Sequence, residues 1–323
     1  MKTVFILNPM AGKKKNLKLF EQTIRETAAF LERKVEVYYT KCIGDAKAFV
    51  QKYCEENGVA RFIACGGDGT LSEVLNGAIS FEGAEVGVVP MGTGNDFCRN
   101  FDAQFNDISL QILGRSTRCD AIKYLTTVKG VEKSGYSVNM FNIGFDCNVA
   151  DDTSHIKKSK FISGSLAYFI SILKNLVKKK GTKLKIEIDG IESYNGELLL
   201  TSVANGCFCG GGIKSNPEAC VKDGLISINI IKNISHLTFL SLLPRYIKGT
   251  LMKVKNIEKY VKSENCKKIR ITPHNKRIRF CNDGEILDGE TLEFEIIHNA
   301  FNFVVPAECG INEEKNEKEL TMV

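Results

Sequence analysis

The stretch Phe62-Ile63-Ala64-Cys65-Gly66-Gly67-Asp68-Gly69-Thr70 decides the fold of the first part of the chain. Its first four residues are apolar and predict a buried strand, and the glycines after them predict a tight turn. A helix follows the turn, with apolar residues at helical spacing: Leu71, Val74, Leu75 and Ala78. A strand, a glycine turn and a helix in this order are typical of a parallel sheet covered by helices.

The same alternation continues on both sides of this stretch. Strands are predicted at 4–7, 35–39 and 86–89, with helical periodicity from about residue 17 and again from residue 45. After Asp120 the pattern changes to short strands broken by Gly, Asn and Asp turns, such as Asp189-Gly190. We therefore predict a fold that is α/β plus all-β: a parallel α/β domain over residues 1–120 and an antiparallel β-sandwich domain over 121–298. The polar segment 312–323 is predicted to be a disordered tail.

Composition limits the classes of partner. The chain has 323 residues with 44 Lys and Arg against 38 acidic residues, a formal charge of +6. This excess favours an anionic surface such as phospholipid headgroups, although a solvated lysine-rich surface explains it equally well. It is too small and too evenly spread to indicate nucleic acid. The twelve cysteines are scattered and predict free thiols in a reducing cytosol.

Membrane contact is expected from one side only. No stretch approaches the roughly 20 apolar residues that span a bilayer. The apolar run that begins at Val4 is too short for a signal peptide. The segment Phe161–Lys180 has an apolar helical face and a basic end, which fits either a core helix or a helix at a membrane interface. We expect a cytoplasmic protein that associates peripherally with the inner face of the membrane.

Three glycine-containing turns follow predicted parallel strands. They are Asn8–Gly12, Gly66–Thr70 and Gly92–Asp96. Ligands of open parallel sheets bind beyond the carboxyl ends of the strands, and a helix N-terminus after such a turn favours an anion. Together the three turns predict a cradle for a polyphosphate, while each turn alone could be a simple strand-to-helix connection. The chain lacks G-x-G-x-x-G after its first strand and lacks G-x-x-x-x-G-K-[ST], which disfavours a dinucleotide-binding Rossmann domain and a P-loop hydrolase.

These motifs, in this order, resemble those of the diacylglycerol/sphingosine kinase family, and most closely its bacterial soluble diacylglycerol kinase branch. The resemblance covers nearly the whole chain. Its first half is carried by Asn8-Pro9, Gly66–Thr70, Glu73, Asn76-Gly77 and Gly92–Phe97. Its second half is carried by Asn142–Asp146, Asn205-Gly206, Gly210–Gly212, Asp223–Leu225 and Asp283–Glu285.

The resemblance implies a lipid kinase that transfers the γ-phosphate of ATP to a lipid hydroxyl, with diacylglycerol as the expected acceptor and phosphatidic acid as the product. It implies a nucleotide-binding first domain, ATP in a cleft between the domains, and a return of segment 299–310 to the first domain. Other acceptors stay open: a sphingoid base, a phosphatidylglycerol-type lipid or NAD. A nucleotide- or lipid-binding protein without catalysis also stays open, as does a homodimer.

The resemblance and the three turns together nominate the residues that bind the nucleotide. They are Asn8, Pro9, Gly12, Thr40, Gly66, Gly67, Asp68, Gly69, Thr70, Glu73, Gly92, Thr93, Gly94, Asn95 and Asp96. Asp68 is also expected to help hold the Mg²⁺-nucleotide, although a carboxylate in such a turn could merely stabilise the turn.

Carboxylates further along the chain are expected to complete the site. Asp283 or Glu285 would accept the hydroxyl proton, although Asn282-Asp283-Gly284 also reads as a hairpin turn. Asp223 resembles the family's Mg²⁺ ligand, aided by main-chain oxygens near Cys220 and Leu225, and oxygen ligands with waters suit this ion. The alternative for Asp223 is again a turn before a strand. Asp120 is expected to connect Asp223 to the nucleotide site.

Overall fold

The computed structural model describes residues 1–12, 16–144 and 181–306. The chain divides into two compact units. Of the described residues, the first unit contains those within Met1–Met91 and Phe101–Thr117 together with Asn302–Pro306, and the second contains Gly92–Asn100 and those within Arg118–Phe301. This division differs from the predicted boundary at residue 120 mainly in Gly92–Asn100, which packs with the second unit. The segment 161–180 and the tail 312–323 lie outside the described residues.

The first unit is a parallel sheet with helices between its strands. Its elements are β1 (Thr3–Leu7), α1 (Leu17–Phe30), β2 (Val35–Tyr39), α2 (Asp45–Asn57), β3 (Arg61–Gly66), α3 (Asp68–Ala78), β4 (Glu85–Pro90) and α4 (Ile108–Leu113). The strand order is β2-β1-β3-β4, and every pair in it is parallel. Asn302 and Phe303 pair with β4, also in parallel. The carboxyl ends of β1, β3 and β4 therefore lie side by side.

The sheet of the first unit is buried on both faces. All five residues of β1 are buried, as expected for a parallel strand with helices on each side. Its core combines Phe5 and Leu7 with Ile63 of β3 and with Ile24 of α1.

The second unit is built from antiparallel strands. They are β5 (Arg115–Val128), β6 (Val131–Ser137), β7 (Met140–Gly144), β8 (Thr182–Ile188), β9 (Ile191–Ala204), β10 (Ile226–Lys232), β11 (Val261–Cys266), β12 (Lys268–Pro273), β13 (Ile278–Asn282), β14 (Glu285–Gly289) and β15 (Leu292–Val305). The order is β14-β13-β7-β9-β8-β12-β15, and β10 lies between β9 and β11. The predicted combination of a parallel α/β part and an antiparallel β-sandwich part is confirmed.

Asp-Gly turns set the register of the hairpins. Asp189 and Gly190, between β8 and β9, have φ of +47° and +84°, and Asp283 and Gly284, between β13 and β14, have φ of +45° and +95°. Two successive positive φ angles are the geometry of the two-residue hairpin that Asp-Gly favours. The hairpin interpretation of Asn282-Asp283-Gly284 is therefore right.

The helix of the second unit is shorter than the sequence predicts. Apolar residues at helical spacing over 237–255 predict one long helix from the sequence. In the structure α5 (His236–Ile247) ends just before Gly249, which has a φ of +69°. The amide N–H of Gly249 donates to the carbonyl of Tyr246 and that of Thr250 to the carbonyl of Arg245, a common way to close a helix at glycine. Two 3₁₀ turns follow, at Leu251–Lys253 and Ile257–Lys259. Among the described helices, none is long and apolar enough to cross a membrane.

Replacing Gly77 by alanine is expected to destabilise the first unit by about 1–3 kcal/mol, the usual cost of overpacking. A Cβ at Gly77 would lie 2.8 Å from both the carbonyl oxygen of Lys47 and Cβ of Val50, on the adjacent helix. Helix propensity alone predicts the opposite sign, a gain of about 1 kcal/mol. Urea unfolding monitored by circular dichroism measures the difference. Ser80→Ala, at an exposed position of the turn that follows the same helix, is the control. An equal stability of Gly77→Ala and wild type contradicts the packing argument.

Candidate functional site

The turns after β1, β3 and β4 are joined by direct hydrogen bonds. Asn8 donates from Nδ2 to Oγ1 of Thr70 at 2.9 Å, which connects the first turn to the start of α3. The amide N–H of Met91 donates to the carbonyl of Gly66 at 2.7 Å, which connects the turn after β4 to the end of β3. The structure thus brings together the predicted turns Asn8–Gly12 and Gly66–Thr70 at one edge of the parallel sheet.

Two glycines in these turns have no room for a side chain. A Cβ at Gly66 would collide with the Thr70 side chain, and a Cβ at Gly12 would lie 2.9 Å from the carbonyl oxygen of Met91. Gly12 also has a φ of +76°, which strains any other residue. The absence of a side chain thus lets the backbone of Gly66 lie against the Thr70 side chain and the backbone of Gly12 lie against that of Met91.

Helix α3 begins in the glycine-rich turn. Its N-cap is Gly67, which supplies no side-chain hydrogen bond to the helix, and Asp68 and Gly69 lie in the first turn. The first amides of a helix lack partners within the helix and carry the positive end of its dipole. Asp68 is half-buried here, in a position that suits a carboxylate near a helix N-terminus.

The remaining nominated residues of the first unit have different surroundings. The amide N–H of Thr40 donates to the carbonyl of Leu7, so Thr40 lies at the same sheet edge. Pro9, which follows Asn8 in the chain, is exposed. Glu73 instead accepts from the amides of Gly44 and Ala46 at 2.9 and 3.1 Å. Its carboxylate caps the start of α2, which is a structural contact that the sequence did not indicate.

The turn Gly92–Asp96 is closed by its own side chains. The Asn95 amide group accepts from Gly92 N–H and donates to the Gly92 carbonyl, and Asn95 has a φ of +51°. Buried Asp96 accepts from the amide of Gly211 with both carboxylate oxygens at 3.0 Å. Asp96 therefore holds the glycine triplet 210–212 of the second unit, and direct nucleotide contacts by Gly92, Thr93, Gly94, Asn95 and Asp96 stay a prediction.

Asp120 organises the loop before β10. It is fully buried, and its carboxylate accepts from the amides of Gly224 and Asn299, each at 2.7 Å. His298 Nδ1 lies 2.8 Å from the same carboxylate. Sequence reasoning missed His298 because nothing in local spacing connects it to an aspartate 178 positions earlier.

Asp223 lies in the loop that Asp120 holds. Its Oδ1 accepts from the amide of Leu225 at 3.0 Å. Partial burial and the neighbouring charge of Asp120 raise the pKa of Asp223, so the ionised form is disfavoured there. A cation beside the two carboxylates would relieve this penalty.

The surroundings of Asp223 fit a hydrated Mg²⁺ rather than a metal cage made of side chains. Within the described residues, no group of three His, Cys, Asp or Glu side chains could hold a metal. Burial raises the pKa of the Cys220 thiol, which keeps it protonated and leaves the main-chain oxygens of Cys220 and Leu225 as the candidate additional ligands. One carboxylate, carbonyl oxygens and waters are a donor set that Mg²⁺ accepts.

Asp283 is a buried anchor. Its Oδ2 accepts from the Ser137 hydroxyl at 2.8 Å and from the Val138 amide at 3.0 Å, and its Oδ1 accepts from the Met140 amide at 2.9 Å. The side chain is 8% exposed. A carboxylate held by three donors shapes the β6–β7 loop, and the role of Asp283 as the base stays a prediction.

Glu285 has a different environment two residues later. It is exposed at the first position of β14, opposite Asn282 across the hairpin. Burial and the nearby Glu285 charge together raise the pKa of Tyr124, which places Tyr124 beside this carboxylate. Of the Asp283 and Glu285 pair, the structure leaves Glu285 as the carboxylate exposed to solvent.

Comparisons with known proteins identify the family to which the chain belongs. Residues 2–124 match the family described as the diacylglycerol kinase catalytic domain, and residues 139–305 match the YegS C-terminal NAD kinase beta sandwich-like domain. The chain therefore belongs to the diacylglycerol kinase catalytic domain family, in the branch that carries the YegS-type C-terminal domain.

Individual relatives match over nearly their full lengths. The "Probable lipid kinase YegS-like" protein of Yersinia enterocolitica is 29% identical over 96% of this chain and 98% of its own. The protein of the same description from Yersinia pestis strain Pestoides F is 31% identical over 83% of this chain and 86% of its own. A solved structure described as "A putative diacylglycerol kinase from Bacillus anthracis str. Sterne" has a TM-score of 0.74 and 25% identity, covering 94% of this chain and 97% of that one.

Asp223→Asn is expected to abolish a Mg²⁺-dependent rise in melting temperature. An ion that binds only the folded protein stabilises it by mass action, and removing its one carboxylate ligand removes that stabilisation. Without Mg²⁺ the variant should be at least as stable as wild type, because ionised Asp223 beside Asp120 costs stability at any pH above its raised pKa.

Melting curves with and without MgCl₂ measure both effects. Asp288→Asn, at an exposed aspartate of β14, is the matched control and should respond to Mg²⁺ like wild type. An undiminished Mg²⁺ response in Asp223→Asn assigns the ion to other residues.

Proposed function

We propose that this chain is an ATP-dependent lipid kinase that phosphorylates the hydroxyl of diacylglycerol to form phosphatidic acid. The observation that carries the proposal is the joined edge of Asn8–Gly12, Gly66–Thr70 and Met91, in a chain that belongs to the diacylglycerol kinase catalytic domain family. The descriptions of its relatives as lipid kinases support the class of acceptor.

Phosphate binding is the role of the first unit. Main-chain N–H groups of the glycine turns and the N-terminus of α3 can donate to the phosphate oxygens of ATP. Asn8 fixes the spacing of the two turns through Thr70, and Gly66 and Gly12 keep the backbone close enough for this contact. Asp68 would hold the metal that accompanies the nucleotide, and Thr40 would lie along the nucleotide.

Proton transfer is the role of Glu285. When the lipid hydroxyl oxygen bonds to the γ-phosphorus, the bond from that phosphorus to the bridging oxygen of ADP breaks, and the hydroxyl proton moves to the Glu285 carboxylate. Asp283 is a positioning residue, because it fixes the β6–β7 loop and the hairpin that carries Glu285. Mg²⁺ that accompanies the nucleotide would neutralise charge on the phosphates, with Asp68 as its candidate carboxylate ligand. Asp223 is the candidate carboxylate ligand of a separate, structural Mg²⁺.

The acceptor locates the reaction at a membrane surface. Diacylglycerol resides in bilayers, so we expect the protein to act from the cytoplasm by peripheral contact with the inner face of the membrane. Conversion of a neutral lipid to phosphatidic acid places the enzyme in phospholipid metabolism.

A labelling assay over several acceptors tests the substrate. With γ-³²P-ATP, we expect label in phosphatidic acid from diacylglycerol, and little label with a sphingoid base, phosphatidylglycerol or NAD. Detergent-dispersed lipids present each acceptor in the same form. Labelling of NAD alone overturns the lipid proposal, and ATP binding without product from any acceptor favours a protein that senses nucleotide without catalysis.

Glu285→Gln and Asp283→Asn should separate chemistry from structure. Glu285→Gln is expected to reduce kcat by about 100-fold or more while the protein still folds, because a neutral amide cannot accept the hydroxyl proton. Asp283→Asn should cost about 2 kcal/mol or more of folding free energy, since its amide nitrogen meets main-chain donors in a buried site.

Turnover and thermal unfolding are measured on the same preparations. Asp288→Gln, at an exposed carboxylate of the same hairpin, is the control for both readouts. Wild-type turnover in Glu285→Gln excludes it as the base, and an unchanged melting temperature in Asp283→Asn contradicts its anchoring role.

A further inference from the structure

Helix α5 carries apolar residues over about half of its circumference. Its inner face contributes Phe239, Leu243 and Tyr246, which are buried in a cluster with Leu251 of the following 3₁₀ turn. These residues recur at helical spacing and account for the attachment of the helix to the second unit. A surface helix normally carries polar residues on the face turned away from its core.

In α5 the apolar surface continues past the core-facing side onto an exposed flank of the helix, here called the outer face. Leu237, Leu240 and Ile247 are 81%, 41% and 37% exposed, and exposed Pro244 lies between the last two. Their spacing of three, four and three residues places them in one stripe along the helix. Met252, 38% exposed in the next turn, adds a further large apolar side chain. Large apolar side chains grouped on a surface mark an interaction site far more often than single ones do.

The charges around this stripe have one sign. From Lys232 to Ile257 the chain contains no Asp or Glu and five Lys or Arg residues: Lys232, Arg245, Lys248, Lys253 and Lys255. The last four are exposed, and they occupy the end of α5 and the segment directly after it. An apolar stripe bordered by basic side chains complements a surface that is apolar inside and anionic outside.

We propose that the outer face of α5, together with Met252 and the basic segment 245–255, docks on an anionic phospholipid bilayer. The leucines and the isoleucine enter the boundary between headgroups and acyl chains, and the lysines and Arg245 contact lipid phosphates. A second copy of this chain is a poorer occupant, because pairing this face with itself would oppose like charges. The proposal deepens the proposed function, since docking would bring the enzyme to the bilayer that contains its acceptor.

Flotation of the full chain with vesicles tests the docking surface without any catalysis. Vesicles of phosphatidylcholine and phosphatidylglycerol in equal parts are compared with vesicles of phosphatidylcholine alone, in the absence of ATP and diacylglycerol. We expect binding to the anionic vesicles, weaker binding to the neutral ones, and a loss of binding as NaCl rises to about 0.5 M, where exposed charges are screened.

Two sets of variants locate the contact. Leu237→Ser with Leu240→Ser should weaken binding to the anionic vesicles by about tenfold or more, because each leucine loses apolar surface that the bilayer would bury. Lys253→Gln with Lys255→Gln should weaken it by about tenfold at low salt and little at high salt. All four side chains are exposed, so both variants should fold, and circular dichroism checks that they do.

Matched controls change the same residue types elsewhere. Ile191→Ser replaces an apolar side chain that is 75% exposed in the β8–β9 hairpin, and Lys183→Gln with Lys267→Gln removes two exposed lysines. Both controls should bind vesicles like wild type. Absence of wild-type binding to anionic vesicles, or equal loss in variants and controls, overturns the proposal. The proposal is also overturned if light scattering shows that the wild-type protein is a dimer, that the leucine changes dissociate it, and that vesicle binding persists in the variant.

An activity measurement keeps this test separate from the proposed function. On a short-chain diacylglycerol dispersed below its micellar concentration, the leucine variant should retain wild-type kcat, whereas on acceptor in anionic vesicles its rate should fall with its binding. Vesicle docking without phosphorylation of any lipid refutes the proposed function and leaves the docking surface intact. Phosphorylation in vesicles that is unaffected by the leucine changes refutes the docking surface alone.

Discussion

The candidate site depends on how closely three strand ends approach one another. Gly66 and Gly12 have no space for a Cβ, and the Asn8–Thr70 hydrogen bond fixes the distance between the turns that contain them. Parallel strands make this possible, because all their carboxyl ends fall on one edge and each is followed by a helix N-terminus. Under the proposed function, the phosphates of the nucleotide would meet backbone N–H groups at this edge, whose positions are set by the fold and need no side-chain reorganisation.

Carboxylates that accept hydrogen bonds from distant main-chain N–H groups perform a comparable task in the loops of the chain. Glu73, Asp96, Asp120 and Asp283 each accept hydrogen bonds from main-chain N–H groups of a segment distant in sequence. A charge-assisted bond to a backbone amide is roughly twice as strong as a neutral one and satisfies a donor that would otherwise be buried without a partner. These acidic residues therefore give the loops a defined conformation. Asp223 lies on the loop that Asp120 holds, and Glu285 lies on the hairpin that contains Asp283.

Sequence reasoning predicts much of the fold and the chemistry, but it does not separate these two kinds of carboxylate. Strand and helix periodicity around Gly66–Thr70 indicates the parallel sheet, because burial on one face leaves a repeating pattern in the sequence. The roles of Glu73 and Asp283 are not visible in that way, since the amides they bind are 27 and 143 residues away from them. The end of α5 at Gly249 was also missed, because the apolar spacing continues past the glycine while the backbone does not.

The distribution of charge is a further property that the sequence totals do not reveal. A net charge of +6 over 323 residues looks evenly spread when only totals are considered, and on that basis it says little about a partner. The structure changes this view, because the stretch from Lys232 to Ile257, which has only basic charges, contains α5 with its exposed apolar flank. Exposed apolar area and positive charge each have ordinary explanations when they occur apart. Their coincidence on one helix costs solubility without stabilising the core, and an anionic bilayer is the environment in which both become favourable.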